Sequence, residues 1–251
     1  MNSTRANHDP VREWVIKDTN SEISLNTSYP RIIEKILISR GLINEEVIEA
    51  FLEPALKSLS DPFALPQMTT AVDRILRAID KKENIVVYGD YDVDGVTSLT
   101  LMKKVLGAYD NVPTTFMPHR IDDGYGLSIS ALKHCVDKHR PSLIVAVDCG
   151  TTSIKEIDWL NESGIDSVIL DHHEPLSEGL PRANAVVNPK ITEPEFPKNY
   201  QYLCSVGIVF KLAHALLKLR PLANFDLRDY LDIVALGTVA DLVPLIDENR
   251  I

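Results

Sequence analysis

Asn84-Ile85-Val86-Val87-Tyr88-Gly89 runs directly into Asp90-Tyr91-Asp92-Val93-Asp94-Gly95. The first half is a short apolar run, which reads as a strand buried within a sheet. The second half sets three carboxylates at alternating positions in the turn that follows. Acids this close do not all ionise cheaply without a cation. Oxygen ligands of this kind suit hard divalent ions such as Mg²⁺ or Mn²⁺, and Gly95 lets the backbone turn tightly.

Other readings compete for the same segment. It copies the opening of an EF-hand loop, but the twelfth position, where that loop needs a glutamate, is Leu101. Asp92 to Val96 also fits the D-x-D-x-[TV] pattern of haloacid-dehalogenase-like phosphatases. A dinucleotide site is disfavoured, because G-x-G-x-x-G is absent and the turn is too negative for a pyrophosphate without metal. The plain alternative is a solvated acidic turn.

Outward from this stretch, strand-like and helix-like runs alternate. Leu143 to Val147, Ser167 to Leu170 and Ala185 to Val187 read as further buried strands, and Thr114 to Met117 as another. Helices are expected from near Val96 to Gly107, from Ser128 to His139, from Ser153 to Gly164, over Val206 to Leu219 and over Leu227 to Leu236. The alternation predicts an α/β fold: a parallel sheet flanked by helices. Residues 1–70 read as a helical N-terminal extension and 71–251 as the main domain. In the extension, Pro30 to Arg40 and a segment capped by Asn44 look helical. Thr70 with Asp73 resembles a capping box ahead of Val72, Ile75, Leu76 and Ile79.

Three of the strand-like runs end in acids: Asp90 to Asp94, Asp148 and Asp171. Open α/β sheets bind ligands beyond the carboxyl ends of their strands, so these acids should converge in space. Asp171-His172-His173 puts two imidazoles beside the third, and imidazole suits Mn²⁺ as well as Zn²⁺. A capping Asp with two surface histidines is the bland alternative. Asp148 taken alone is more often a helix cap than a ligand, and Cys149 beside it reads as a small buried residue. Asp241 lies in the apolar stretch Gly237 to Pro244, where a carboxylate needs a partner such as a metal or a hydrogen-bonded cap.

The formal net charge of −10 argues against a generic nucleic-acid surface, although clustered acids that hold cations weaken the objection. The three cysteines are far apart and form no C-x-x-C, which fits a reducing, cytoplasmic setting. No apolar run is long enough for a transmembrane helix, so no membrane association is expected.

The four acidic segments, in this order, resemble the DHH phosphoesterase superfamily, named for Asp-His-His. The match extends along its RecJ-like branch of single-strand-specific exonucleases. It includes Gly89 to Ser98, Pro118 to Leu127, Val147 to Thr151, Leu170 to Pro175 and Val187 to Lys190, with Phe51 to Pro54 and Asp61 to Phe63 upstream. One departure is Leu203-Cys204-Ser205-Val206-Gly207, where the branch shows Leu-Ala-Gly-Val-Gly.

The resemblance implies a two-metal phosphodiesterase, best with Mn²⁺ and possible with Mg²⁺, that degrades single-stranded DNA from the 5′ end in repair and recombination. One ion would be held by Asp90 or Asp92 with Asp148. The other would be held by Asp94, Asp148, His172 and Asp241, with Asp148 bridging. His173 and Asp90 would be the catalytic residues, His173 acting on the phosphoryl oxygens or on a proton. Arg120 is the candidate for gripping a substrate phosphate, with His119 and Tyr125 lining the strand path and Tyr125 stacking on a base. Two other outcomes fit the superfamily: hydrolysis of short or cyclic oligonucleotides, and a non-catalytic replication scaffold. The branch continues into a second domain beyond the fourth acidic segment. A missing domain or protein partner is therefore expected, with Val243, Leu245 and Ile246 left as an exposed apolar patch.

Overall fold

The computed structural model describes residues 28–118, 126–191 and 200–251. The chain divides into two compact units, Met1–Lys57 and Ser58–Ile251. In the first, helices α1 (Arg31–Ser39) and α2 (Glu45–Leu52) bury Leu37 and Ile48 against Tyr29, Leu42 and Phe51. Asn44 caps α2 as expected, its Oδ1 accepting from the Glu46 and Val47 amides.

The second unit runs α3 (Met68–Asp80), β1 (Ile85–Gly89), α4 (Val93–Ala108), β2 (Thr114–Phe116), α5 (Ile129–His139), β3 (Leu143–Val147), α6 (Ile154–Glu162), β4 (Asp166–Leu170), β5 (Ala185–Val187), α7 (Ser205–Leu219) and α8 (Leu231–Ala240). The five strands form one sheet in the order β2-β1-β3-β4-β5, every pairing parallel. β1 and β3 are buried at every position, which is why both read as unbroken apolar runs. Alternate residues serve opposite layers. Ile85, Val87, Val145, Val147 and Leu170 pack under α3, α4 and α7. Val86, Tyr88, Ile144, Ala146 and Ile169 pack under α5 and α6. Each such side chain removed from water contributes about 1.5–3 kcal/mol.

The strand order reverses between β1 and β3. Such a switch point leaves a crevice beyond the carboxyl ends of the two strands, because their connections leave in opposite directions. Asp90 and Asp148 follow those two ends directly.

Several helix starts differ from expectation. α3 begins at Met68 behind Gln67, which adopts a left-handed φ of 56°. Thr70 and Asp73 therefore lie inside the helix and form no capping box. α6 begins at Ile154, one residue after its expected start, and Ser153 before it provides no side-chain cap. The run Leu227 to Leu236 is a single 3-10 turn (Leu227–Tyr230) followed by α8, which continues to Ala240. α8 is apolar apart from Asp232 and Thr238, yet within it only Gly237 and Thr238 are buried. Leu236, Val239, Leu242, Leu245 and Ile246 are exposed. Val243 instead packs against the main core. No helix among the described residues is long and apolar enough to cross a membrane.

Candidate metal centre

The acids after β1 split between a cap and a helix. α4 begins at Val93, three residues before its expected start, with Asp92 as its cap: Asp92 Oδ1 accepts from the Gly95 amide at 2.9 Å. Asp94 thus sits in the first turn of α4 rather than in a loop. Gly95 is required by crowding, since a Cβ there would lie 2.5 Å from the Asp90 carbonyl oxygen. Asp90 is fully buried, and its Oδ1 accepts from the Tyr91 amide at 2.7 Å.

Asp94 reaches away from its own helix. Its Oδ2 accepts from the Ser205 amide at 2.6 Å and its Oδ1 from the Val206 amide at 2.8 Å. These are two of the orphan amides that open α7, and Cys204 at the cap position offers no side-chain bond.

Asp148, after β3, has a left-handed φ of 61°, uncommon without glycine. Its carboxylate is buried and Oδ1 accepts from Ser205 Oγ at 3.0 Å. Burial, then the charges of Asp94 and Asp92, push this carboxyl up to about 10.

His172, after β4, is the hub. Its Nε2 lies 3.5 Å from Asp148 Oδ1, 3.6 Å from Asp241 Oδ2 and 3.8 Å from Asp94 Oδ2. These contacts are too long to be hydrogen bonds. They are close enough for a divalent ion to draw His172 and its neighbouring carboxylates together as ligands. Asp148 Oδ2 and Asp241 Oδ2 are moreover buried without hydrogen-bond partners among the described residues. Burial, then Asp94 and Asp92 against the relief of His172, raises the Asp241 carboxyl as well. Two orphaned carboxylate oxygens and a crowded set of acids fit a divalent cation.

Two groups of ligand-type atoms lie within 4.8 Å of one another: Asp94, His172 and Asp241, and Asp148, His172 and His173. Asp90 and Asp92 belong to neither group. His119, Arg120 and Tyr125 lie outside the described residues. Burial, with Asp171 and Asp148 nearby, drives the Cys149 thiol well above its ordinary value, so it remains a neutral thiol.

Sequence reasoning left several supporting residues without a role. Asp171 is an orienter: its Oδ1 holds His173 Nδ1 at 2.7 Å and the His172 amide at 2.8 Å, and its Oδ2 accepts from the Thr151 amide at 2.9 Å. Burial raises the Asp171 carboxyl, but the His173 bond and charge and the Thr151 bonds outweigh it and hold the group at about 2. The same bond raises His173. Asn188 bonds Thr151 Oγ1 at 2.9 Å and the His173 carbonyl at 2.8 Å, so the Val187 to Lys190 segment props the histidine loop. Gly237 lets α8 approach α4: a Cβ there would lie 2.4 Å from Thr97 Oγ1.

Residues 84–238 match the DHH family, N-terminal domain. The chain belongs to the DHH family. Among curated members it is 40% identical over 220 residues to the single-stranded-DNA-specific exonuclease RecJ of Bacillus subtilis, covering 88% of this chain and 27% of that protein. To RecJ of Escherichia coli it is 32% identical, covering 94% and 41%. This DHH chain therefore spans well under half the length of these relatives. Among solved structures it superposes on exonuclease RecJ bound to manganese with a TM-score of 0.68 and 30% identity, covering 78% of this chain and 47% of that one. RecJ from Thermus thermophilus in complex with Mn²⁺ gives 0.66 and 28%, covering 85% and 29%.

Proposed function

We propose that this DHH chain carries the catalytic core of a metal-dependent phosphodiesterase that degrades single-stranded DNA from the 5′ end. The observation that carries the reading is the approach of Asp94, Asp148 and Asp241, from three separate segments, to Nε2 of His172. In this reading they hold one divalent ion, Asp148 bridges to a second, and Asp90 or Asp92 completes the second site. A pair of Mn²⁺ ions bound there supplies an activated water and a charge clamp for the phosphodiester oxygens. Asp171 holds Nδ1 of His173 and keeps the ring protonated to higher pH, so the imidazole presents a proton to a phosphoryl oxygen through Nε2. Arg120 grips a neighbouring phosphate, and His119 and Tyr125 line the strand path. A further domain or a protein partner supplies the remaining phosphate contacts, and the protein acts in the cytoplasm. The manganese-bound and single-strand-specific relatives support this reading.

The test is digestion of 5′-labelled and 5′-blocked single strands, duplexes, dinucleotides and cyclic dinucleotides with Mn²⁺, beside Asp148→Asn. Mononucleotides should leave unblocked single strands from the 5′ end, and Asp148→Asn should be inert. Release from the 3′ end of blocked strands would overturn the polarity. A preference for dinucleotides would replace the polymeric substrate.

A further inference from the structure

Ser205 joins the two central carboxylates to one helix. Its side chain is fully buried at the first position of α7. The backbone amide donates to Asp94 Oδ2 at 2.6 Å, and the hydroxyl donates to Asp148 Oδ1 at 3.0 Å. Asp94 is held twice, because the Val206 amide takes its other oxygen at 2.8 Å. Asp148 is not: among the described residues Ser205 is the one hydroxyl or amide donor to its carboxylate, and Oδ2 has no hydrogen-bond partner.

That difference matters because the terminal torsion of an aspartate is soft, with a broad range of settings for its carboxylate plane. The backbone fixes where Asp148 Cβ stands, through the left-handed φ and the 3.0 Å bond from its amide to the Leu170 carbonyl. It does not fix the rotation of the carboxylate. A bridging ligand has to present its oxygens in one orientation, and Asp92 and Asp94 repel it on the acidic side. A single hydroxyl donor on Oδ1 opposes that push and sets the plane.

We propose that Ser205 is a positioning residue of the metal centre, whose hydroxyl locks the Asp148 carboxylate for divalent-ion binding and ties the ion to the N-terminus of α7. The proposal rests on the reading of Asp148 as a ligand. The physics is that of outer-shell partners generally, whose loss costs roughly 10–100-fold in metal affinity. A glycine at position 205 offers the amide to Asp94 but no donor to Asp148.

The experiment is Mn²⁺ binding to the purified chain, followed by calorimetry and by the electron paramagnetic resonance spectrum of the bound ion. Wild type is compared with Ser205→Ala, Ser205→Gly and Asp148→Asn, and each metal-free protein is melted. Ser205→Ala and Ser205→Gly should bind Mn²⁺ about 10–100-fold more weakly. Their bound-ion spectra should change, while metal-free Ser205→Ala melts with wild type. Wild-type affinity and an unchanged spectrum in both Ser205 variants would overturn the proposal. So would weaker binding that comes with a matching loss of metal-free stability and no spectral change, since that marks a purely structural role. If Asp148→Asn lost binding while the Ser205 variants kept it, the metal centre would stand and only Ser205 would fall. A wild type that binds no Mn²⁺, or an Asp148→Asn that binds as wild type does, would remove the underlying reading itself.

Discussion

Gly237→Ala places one methyl group where α8 crosses α4 and α7. A Cβ at 237 would stand 2.4 Å from Thr97 Oγ1, 2.7 Å from Val206 Cγ1 and 3.3 Å from Asp94 Oδ1, where ordinary contact begins at 3.4 Å. Neither close neighbour can swing aside. Thr97 Oγ1 is tied to the Val93 and Asp94 carbonyls at 2.7 and 3.0 Å, and Val206 is β-branched with one favoured helical rotamer. One side has to give by about 1 Å, and α8, packed on a single face, is the side that moves. Alanine gains about 1 kcal/mol of helix propensity over glycine, while overpacking costs about 1–3 kcal/mol. With interhelical contacts also loosened, the net loss should be about 1–2 kcal/mol, a melting-temperature drop of roughly 2–8 °C in a unit of this size. The same shift carries Asp241, whose amide bonds the Gly237 carbonyl at 2.9 Å, away from its 3.6 Å approach to His172. Mn²⁺ affinity should then fall about tenfold or more. Urea melts and a Mn²⁺ titration measure both effects. Adding Thr97→Ala should recover part of each, a coupling readable as a double-mutant cycle. A Gly237→Ala protein as stable as wild type, with unchanged metal affinity, would refute the close-approach argument.

Asp171→Asn should lower the pH at which His173 titrates and cost about 2 kcal/mol at neutral pH. Asp171 titrates at about 2 instead of its ordinary 3.8, so its stabilisation is complete above the ordinary value and vanishes as the pH falls through about 2. Imidazole NMR titration and urea melts of the metal-free protein check this, and an unmoved His173 would strip Asp171 of its orienting role. Lys211 is buried on α7, bonded to Glu248 Oε2 and the Ser60 carbonyl, both at 2.8 Å. Lys211→Met should cost about 3–5 kcal/mol by leaving Glu248 buried without its cation, and Lys211→Met with Glu248→Leu should recover most of it. A single variant within 1 kcal/mol of wild type in urea, roughly the scale of an exposed pair, would mean that Glu248 finds water instead.

The strands were legible for a simple reason. A parallel strand buried on both faces is apolar at nearly every position, so Ile85 to Gly89, Leu143 to Val147 and Val168 to Leu170 declare themselves without any partner in view. The acids at their ends follow from the same geometry, because the carboxyl ends of parallel strands share one edge of the sheet. Helix starts were less legible. Asp92 looked like one of three equivalent turn acids, and its capping of α4 depends on where the chain turns back over Asp90. The exposed apolar patch expected beyond Asp241 holds at Leu245 and Ile246 but not at Val243, which packs against the main core.

By itself the sequence determined the alternation of buried strands and helices, the placing of Asp90, Asp148 and Asp171 at strand ends, and the grouping of imidazole with carboxylate at His172 and His173. These are local properties, set by burial along one strand and by the chemistry of adjacent residues. Which carboxylate serves which partner was decided only by the tertiary structure. Asp94 satisfies the opening amides of a helix that begins 111 residues later, Ser205 steadies Asp148 across a separation of 57, and Gly237 admits α8 against Thr97. Hydrogen bonds and close packing act over about 3 Å. Residues far apart in the chain acquire such roles only after the sheet and its covering helices have brought them within that distance.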